Sequence, residues 1–350
     1  MTATNGEHIS RPGPSRRLRY GILAVILLVL GVGLWTFFGP ISYDGSVRKI
    51  FYVSRGQSFE IILDSLELQG VISSRFGFDL VARTYGGTST LKVGKYGFAS
   101  GVSNSEIFLS LRSGKGNLLI SVTVPEGYFS RTQARLLART LGIDSARYSA
   151  LVHDPDVVSS FGLDRSSLEG YLLPQTYDFT WQQDERDIIR TQVHGLLRFF
   201  NDSLRGRATE MRMTMHEVLT LASIVEGEAM IDEERPVIAG VYLNRLRKGM
   251  KLEADPTIQF MIPDGPRRVL YSDLKRDNPY NTYRYRGLPP GPVNNPGTSS
   301  ILAVLYPARH NNLFFVANGH GGHWFSISYS EHLKYVRKYR RDRARGFASK

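Results

Sequence analysis

Residues 220–229 read TLASIVEGEA, an apolar run that carries two carboxylates, Glu226 and Glu228, within three positions. Projected on a helix at about 100° per residue, Glu226 shares its face with Met215, Leu219, Ala222, Ser223, Ala229 and Met230, with no basic neighbour on that face. Desolvation disfavours the charged form of a carboxyl so placed, which suits a general acid for glycosidic cleavage. A surface glutamate, or one satisfied by a buried hydrogen bond, fits this segment equally well. Glu228 lies about 200° round the same helix, so the two acids cannot face one substrate bond. Glycosidases that work with two carboxyls need both flanking the bond, so Glu228 is expected to be a supporting residue, holding a loop through a backbone N–H or an arginine. Asp255, in LEADPT, could approach from elsewhere in the chain.

Other chemistry has weaker signals. NGHGGHW brings His320 and His323 together, with His310 upstream, but H-x-x-H on a glycine-rich turn lacks the ligand context of a zinc site, so no metal or cofactor is expected. The sequence has no cysteine, which rules out disulfides and thiolate catalysis. It also has no phosphate loop, GxSxG elbow or HExxH. The net charge of +12 invites a nucleic-acid reading, but residues 1–19 hold +3 of it and residues 334–350 hold +7. The body of the chain is nearly neutral and without a distributed basic footprint, so no nucleic-acid partner is expected.

The elements that must position these residues follow from patterning. Residues 1–19 form a basic arm, and residues 20–38, YGILAVILLVLGVGLWTFF, carry no charge. As a helix this stretch would be about 28 Å long, enough to cross a bilayer. No small-x-small cleavage site follows it, so it reads as an uncleaved anchor with its N-terminus in the cytoplasm. Residues 48–117 alternate short strands and amphipathic helices, a small α/β unit suited to glycan binding or to spacing. Residues 118–341 form a mixed α+β domain, and 342–350 a basic tail.

Within that domain a strand in LLISVTVPEG leads to Ser130, which is expected to cap the helix RTQARLLARTLG. SLEGYLLPQTYDF, residues 167–179, fits no regular element. Pro236 should begin or break the second half of a long helical stretch over 213–248, and Gly249 should end it. The run NPYNTYRYRGLPPGPVNNPG has too much Pro, Gly and Asn for a helix or central strand. A helix TSSILAVLYPA, strands in LFFVAN and WFSISYS, and a final helix opened by Ser328-x-x-Glu331 complete the chain.

Taken together, VPEGY (124–128), LEGYLLPQTY (168–177), LASIVEGEA (221–229), VYLNRLRKGMKLEADPTIQF (241–260), YNTYRYRGLPPGPVNNPG (280–297) and ANGHGGHWFS (317–326) resemble the YceG-like endolytic murein transglycosylases, the MltG type. The resemblance implies a single-pass inner-membrane protein with a LysM-like subdomain and an extracytoplasmic catalytic domain. It implies a lyase that cuts the MurNAc–GlcNAc bond of nascent peptidoglycan strands, leaves 1,6-anhydro-MurNAc ends and terminates glycan elongation. Glu226 corresponds to the catalytic glutamate. In such a lyase the sugar's own C6 hydroxyl is the nucleophile, so one carboxyl can serve as acid and then as base. Asn244, Asp255, Tyr280, Asn281, Thr282 and Tyr283 are candidates for the sugar groove, with a loop-fixing role equally open to each. Glu228, Glu169 and Gln175 are expected to support the site.

The implied partners are peptidoglycan strands and the lipid of the cytoplasmic membrane, with peptidoglycan synthases or division and elongation proteins as further ones. Three positions depart from the family pattern. Gly227 stands where the family often has Lys, at a cost of about 1 kcal/mol in helix propensity and with a looser site expected. Gln175 replaces an Asp, and His320 sits where histidine is not required. The competing readings are a non-catalytic, peptidoglycan-binding envelope scaffold and a hydrolytic muramidase.

Overall fold

The computed structural model describes residues 16–45, 48–87, 91–263, 265–344 and 346. Most of the expected N-terminal arm and the end of the basic tail lie outside them. The chain divides into two compact units, Met1–Leu119 with Thr180–Gln182, and Ile120–Phe179 with Gln183–Lys350.

The first unit begins with α1 (Arg16–Phe38), which buries no residue and is long and apolar enough to cross a membrane. β1 (Lys49–Val53), α2 (Phe59–Leu68), α3 (Arg75–Thr84), β2 (Gly94–Phe98) and α4 (Asn104–Ser113) follow. β1 and β2 pair antiparallel, with Phe51 opposite Tyr96, so the strand of the glycine-rich segment 91–101 completes a sheet with β1. The three helices after α1 each start on a serine: Ser58 accepts from Ile61 N–H, Ser74 from Gly77 N–H, and Ser103 forms a full capping box with Glu106. Phe51, Val53, Leu63, Leu66, Phe78, Val81, Phe108 and Leu111 close a core of their own.

The second unit opens with β3 (Ile120–Thr123), α5 (Ser130–Leu141), α6 (Ser145–Val152), α7 (Pro155–Ser159) and β4 (Thr176–Phe179). β3 pairs antiparallel with β4, Val122 opposite Tyr177. SLEGYLLPQTYDF therefore does end in a strand. Four residues after a proline gave too short an alternation to be read, although Tyr177 and Phe179 point inward as a strand requires. α8 (Glu185–Phe199) and α9 (Asp202–Glu210) lead to α10 (Met215–Glu228), whose residues Val218–Val225 are all buried. Thr214 and Glu217 form its capping box.

A 3₁₀ turn over Asp232–Glu234 then feeds α11 (Arg235–Arg247), with Pro236 in its first turn, and Gly249 just beyond it is left-handed (φ +62°). α12 (Asp255–Met261) packs with α10, and α13 (Thr298–Leu305) with α10 and α11. Residues 276–297 between them hold neither helix nor strand. The antiparallel pair β5 (Phe314–Ala317) and β6 (His323–Ser326), with α14 (Tyr329–Ala344), ends the described chain. The architecture is α+β.

The start of α5 departs from expectation. Phe129 holds the N-cap position without a side-chain bond, and Ser130 lies inside the helix. Glu169 does the capping from a distant loop. Its Oε1 accepts Ser130 N–H at 3.0 Å and Asn295 Nδ2 at 2.8 Å, while Oε2 accepts the Ser130 hydroxyl at 2.7 Å. Burial raises its affinity for a proton and the Ser130 bonds oppose that rise. Glu169→Ala leaves three buried donors without an acceptor, so about 2–4 kcal/mol of folding stability should be lost. Denaturant unfolding of the variant against the parent checks this.

Candidate active site

Four segments of the second unit converge on Glu226. Its carboxyl closes α10, where Arg235 Nη1 approaches Oε1 at 3.1 Å and Gly297 N–H donates to Oε2 at 3.0 Å. The Glu226 side chain is 6% exposed, so these two donors make up much of its surroundings. The expectation of a lone acid among apolar groups is thereby corrected: its cation comes from the start of the next helix, which a wheel of α10 does not show. Arg235 is itself fixed, giving Nε to Asp232 Oδ1 at 2.8 Å and Nη1 to the Ser300 hydroxyl at 2.5 Å.

The loop that delivers Gly297 is tied down at Val293, Asn294 and Asn295. Val293 N–H reaches Ser223 Oγ at 2.9 Å, and Asn294 Nδ2 reaches the Ser223 carbonyl at 2.8 Å, so α10 holds the loop that serves its own last turn. Asn295 Oδ1 accepts Gly170 N–H (2.8 Å) and Leu172 N–H (3.1 Å), and its Nδ2 donates to the Tyr128 carbonyl (2.9 Å) and to Glu169. Gly127 N–H returns to the Asn295 carbonyl at 2.9 Å. The motifs VPEGY, LEGY, VEGE and NNPG, far apart in the chain, are one hydrogen-bonded assembly around a carboxyl, and residues 51–338 match the YceG-like family.

The chain belongs to the YceG-like family. Over 317 residues it is 31% identical to the endolytic murein transglycosylase of Bacillus subtilis (strain 168), covering 86% of this chain and 87% of that protein. The protein of the same description from Streptococcus pneumoniae (strain D39) is 27% identical over 312 residues, covering 80% of this chain and 56% of its own length. A crystal structure of a YceG-like protein from Listeria monocytogenes superposes with a TM-score of 0.60 at 31% identity, covering 82% of this chain and 98% of that one.

The residues expected to line a sugar groove in this YceG-like chain take different places. Asn244 is buried at 6% exposure, and its Nδ2 clamps the His310 and Asn312 carbonyls at 2.9 and 3.0 Å. Asn281 and Thr282 are also buried. Asn281 Nδ2 holds the Leu274 and Arg276 carbonyls, and Thr282 Oγ1 accepts Ala254 N–H. These three fix loops. Tyr280 packs on Phe260 with ring centroids 4.8 Å apart.

Asp255 and Tyr283 bond to each other at 2.6 Å and, with Glu228, Tyr242 and Arg245, line a cavity of about 160 Å³. A larger cavity of about 660 Å³ between α11 and residues 307–311 is lined by Asn244 but by none of the partners of Glu226 named above. Gln175 is exposed; its carbonyl accepts Val124 N–H at 3.0 Å and its side chain hydrogen-bonds Tyr177. Among the described residues no group of three His, Asp or Glu side chains could hold a metal. His323 Nδ1 meets Glu234 Oε2 at 2.6 Å, and His310 Nε2 meets the Val237 carbonyl at 2.9 Å.

Glu228 has a setting unlike that of Glu226. Its Oε1 accepts the Tyr242 hydroxyl at 2.9 Å and its carboxyl also accepts Asp255 N–H, which ties the end of α10 to α11 and to the first residue of α12. Gly227 between the two acids makes this reach attainable. A Cβ at 227 would stand 2.6 and 2.7 Å from Cγ and Cβ of Pro256, so the glycine lets α12 close on α10 and does not loosen the site as expected.

Burial pushes the Glu228 carboxyl from its ordinary 4.5 up to about 7, with the Asp255 charge adding to the rise and the tyrosine bond opposing it. The folded state then holds this proton more tightly than the unfolded chain. The resulting stability is fully present below about pH 4.5 and is lost as pH rises through about 7. Thermal unfolding across that window should show a fall of a few degrees that Glu228→Gln removes, after allowance for other titrating groups common to both proteins.

Proposed function

We propose that this chain is a membrane-anchored endolytic lytic transglycosylase of peptidoglycan. The observation that carries the reading is the seating of Glu226 at the meeting point of the four family motifs. Relatives matched over most of this chain bear the name endolytic murein transglycosylase. In the reaction the MurNAc C1–O4 bond breaks, a C1–O6 bond forms within the same sugar, and one proton passes from O6 to O4. No water is consumed, and a 1,6-anhydro end results. Glu226 is the residue assigned to that proton transfer. The intramolecular nucleophile needs no activation of a separate water, which suits a carboxyl that is almost wholly buried.

Tyr280 and Tyr283 are the groove candidates favoured by the geometry, since Asn244, Asn281 and Thr282 are occupied as loop clamps. The β-α-α-β order of the first unit, with its two strands paired, supports a LysM-like glycan-binding role for that unit. α1 supports a single-pass anchor in the cytoplasmic membrane, with the arginines Arg16, Arg17 and Arg19 at its cytoplasmic end and the chain beyond α1 outside. Termination of nascent strands beside the synthases would follow from that placement.

Glu226→Gln should lower release of anhydro-muropeptides from peptidoglycan by about a thousandfold while leaving the thermal transition in place. Mass spectrometry of the digest separates the alternatives, because hydrolytic products are heavier by one water. Retained anhydro product in the variant would sink the assignment of Glu226. Strands bound but never shortened by the parent protein would favour the scaffold reading.

A further inference from the structure

Glu126 lies in the VPEGY turn between β3 and α5, and that turn is built in place: Val124 N–H bonds the Gln175 carbonyl at 3.0 Å, Gly127 N–H the Asn295 carbonyl at 2.9 Å, and Asn295 N–H the Tyr128 carbonyl at 3.2 Å. Its carboxyl rests on the same glycine that serves Glu226. A Cβ placed on Gly297 would stand 2.0 Å from Glu126 Cδ, while Gly297 N–H donates to Glu226 at 3.0 Å. From the other side, a Cβ on Gly127 would stand 3.4 Å from Glu226 Cγ. The two carboxyls also share one guanidinium, Arg235, at 3.1 Å for Glu226 and 3.8 Å for Glu126. Two carboxyls that flank one glycine and face one arginine form a pair.

Their settings differ in the way that divides acid from base. Glu226 is 6% exposed and receives two donors, a seat for a carboxylate that accepts. Glu126 is 43% exposed and Arg235 approaches it only to 3.8 Å, so its carboxyl is open toward an incoming ligand. The partial burial of Glu126 and the charges of Glu226 and Asp232 raise its affinity for a proton, and Arg235 opposes them.

Resting on the lyase reading above, we propose that Glu126 is a second catalytic carboxyl, the proton donor to the leaving O4, and that Glu226 is the acceptor of the C6 hydroxyl proton. As the C1–O4 bond breaks, its electron pair goes to O4, which takes the proton of Glu126. O6 bonds C1 and its proton passes to Glu226. Transfer of that proton from Glu226 to Glu126 restores the pair, with no net proton or water exchanged.

The test uses the full chain in detergent and two substrates: peptidoglycan strands, and a MurNAc-ended oligosaccharide carrying 4-nitrophenol at C1. Nitrophenolate leaves without protonation, so loss of a proton donor should spare this substrate. Glu126→Gln is expected to cut strand cleavage by about a hundredfold or more and to leave nitrophenol release at the parent rate, whereas Glu226→Gln loses both. Glu126→Asp, which keeps the acid and shortens its reach, should lose strand cleavage to a smaller extent and is read in the same way if the glutamine variant does not fold.

Equal losses on both substrates would make Glu126 a structural partner of Arg235 and overturn the proposal, as would strand cleavage at the parent rate. Strand cleavage by Glu226→Gln at the parent rate would instead remove the reading on which the proposal rests, whatever Glu126→Gln does.

Discussion

The site depends on one buried amide. Asn295 is fully buried, and its side chain uses both ends at once, accepting from two backbone N–H groups of the LEGY segment and donating to the Tyr128 carbonyl and to Glu169. Only a side chain with an acceptor and a donor on adjacent atoms can join an N–H-bearing turn to a carbonyl-bearing one in this manner. The loop it belongs to has no helix or strand to hold it, so these bonds, with those from Ser223, stand in for a ladder. Gly297 lies two residues further on, and its N–H can meet Glu226 because Asn295 has settled where the loop passes. An aspartate at 295 would lose the donor and place a second carboxyl beside Glu169.

The same economy of position appears at the end of α10, where two acids two residues apart enter separate environments. Glu226 turns toward Arg235 and the glycine loops, and Glu228 toward Tyr242 and the first turn of α12. The first arrangement carries a cation and opens on one side to Glu126. The second is a small cavity in which burial favours the protonated form. Low local dielectric makes both costly to leave half-satisfied, so the helix end, two following helices and three loops are coupled through a few polar contacts and not only through the core.

Much of this was legible in the sequence where the signal is local. Pro236 marks the start of α11, Gly249 its end, and the Pro- and Gly-rich run over 278–297 excludes a helix or central strand, all from backbone chemistry within a few residues. The separation of Glu226 from Glu228 followed from helical geometry alone. What was not legible is carried by contacts across long stretches of chain. Ser130 looked like a cap because nothing nearby reveals Glu169 as the acceptor, 39 residues away. Arg235 lies only nine residues beyond Glu226 but across a 3₁₀ turn, where no wheel predicts direction. Glu126 stood in a quoted motif, and only the fold shows that the motif faces the other acid.

Gly227 has a bearing on how this chain can change. The pattern it resembles often carries lysine at that position, yet here the ring of Pro256 occupies the space its Cβ would need. A lysine is therefore not a single-step exchange in this background: α12 must withdraw, and the Asp255 N–H that reaches Glu228 must withdraw with it. Positions 227, 228, 255 and 256 form a linked set in which the acceptable residue at one depends on the others. A homologue bearing lysine at 227 is accordingly expected to differ at Pro256 or in the placement of α12, so that the two acids of the motif inherit their surroundings from a neighbour outside it.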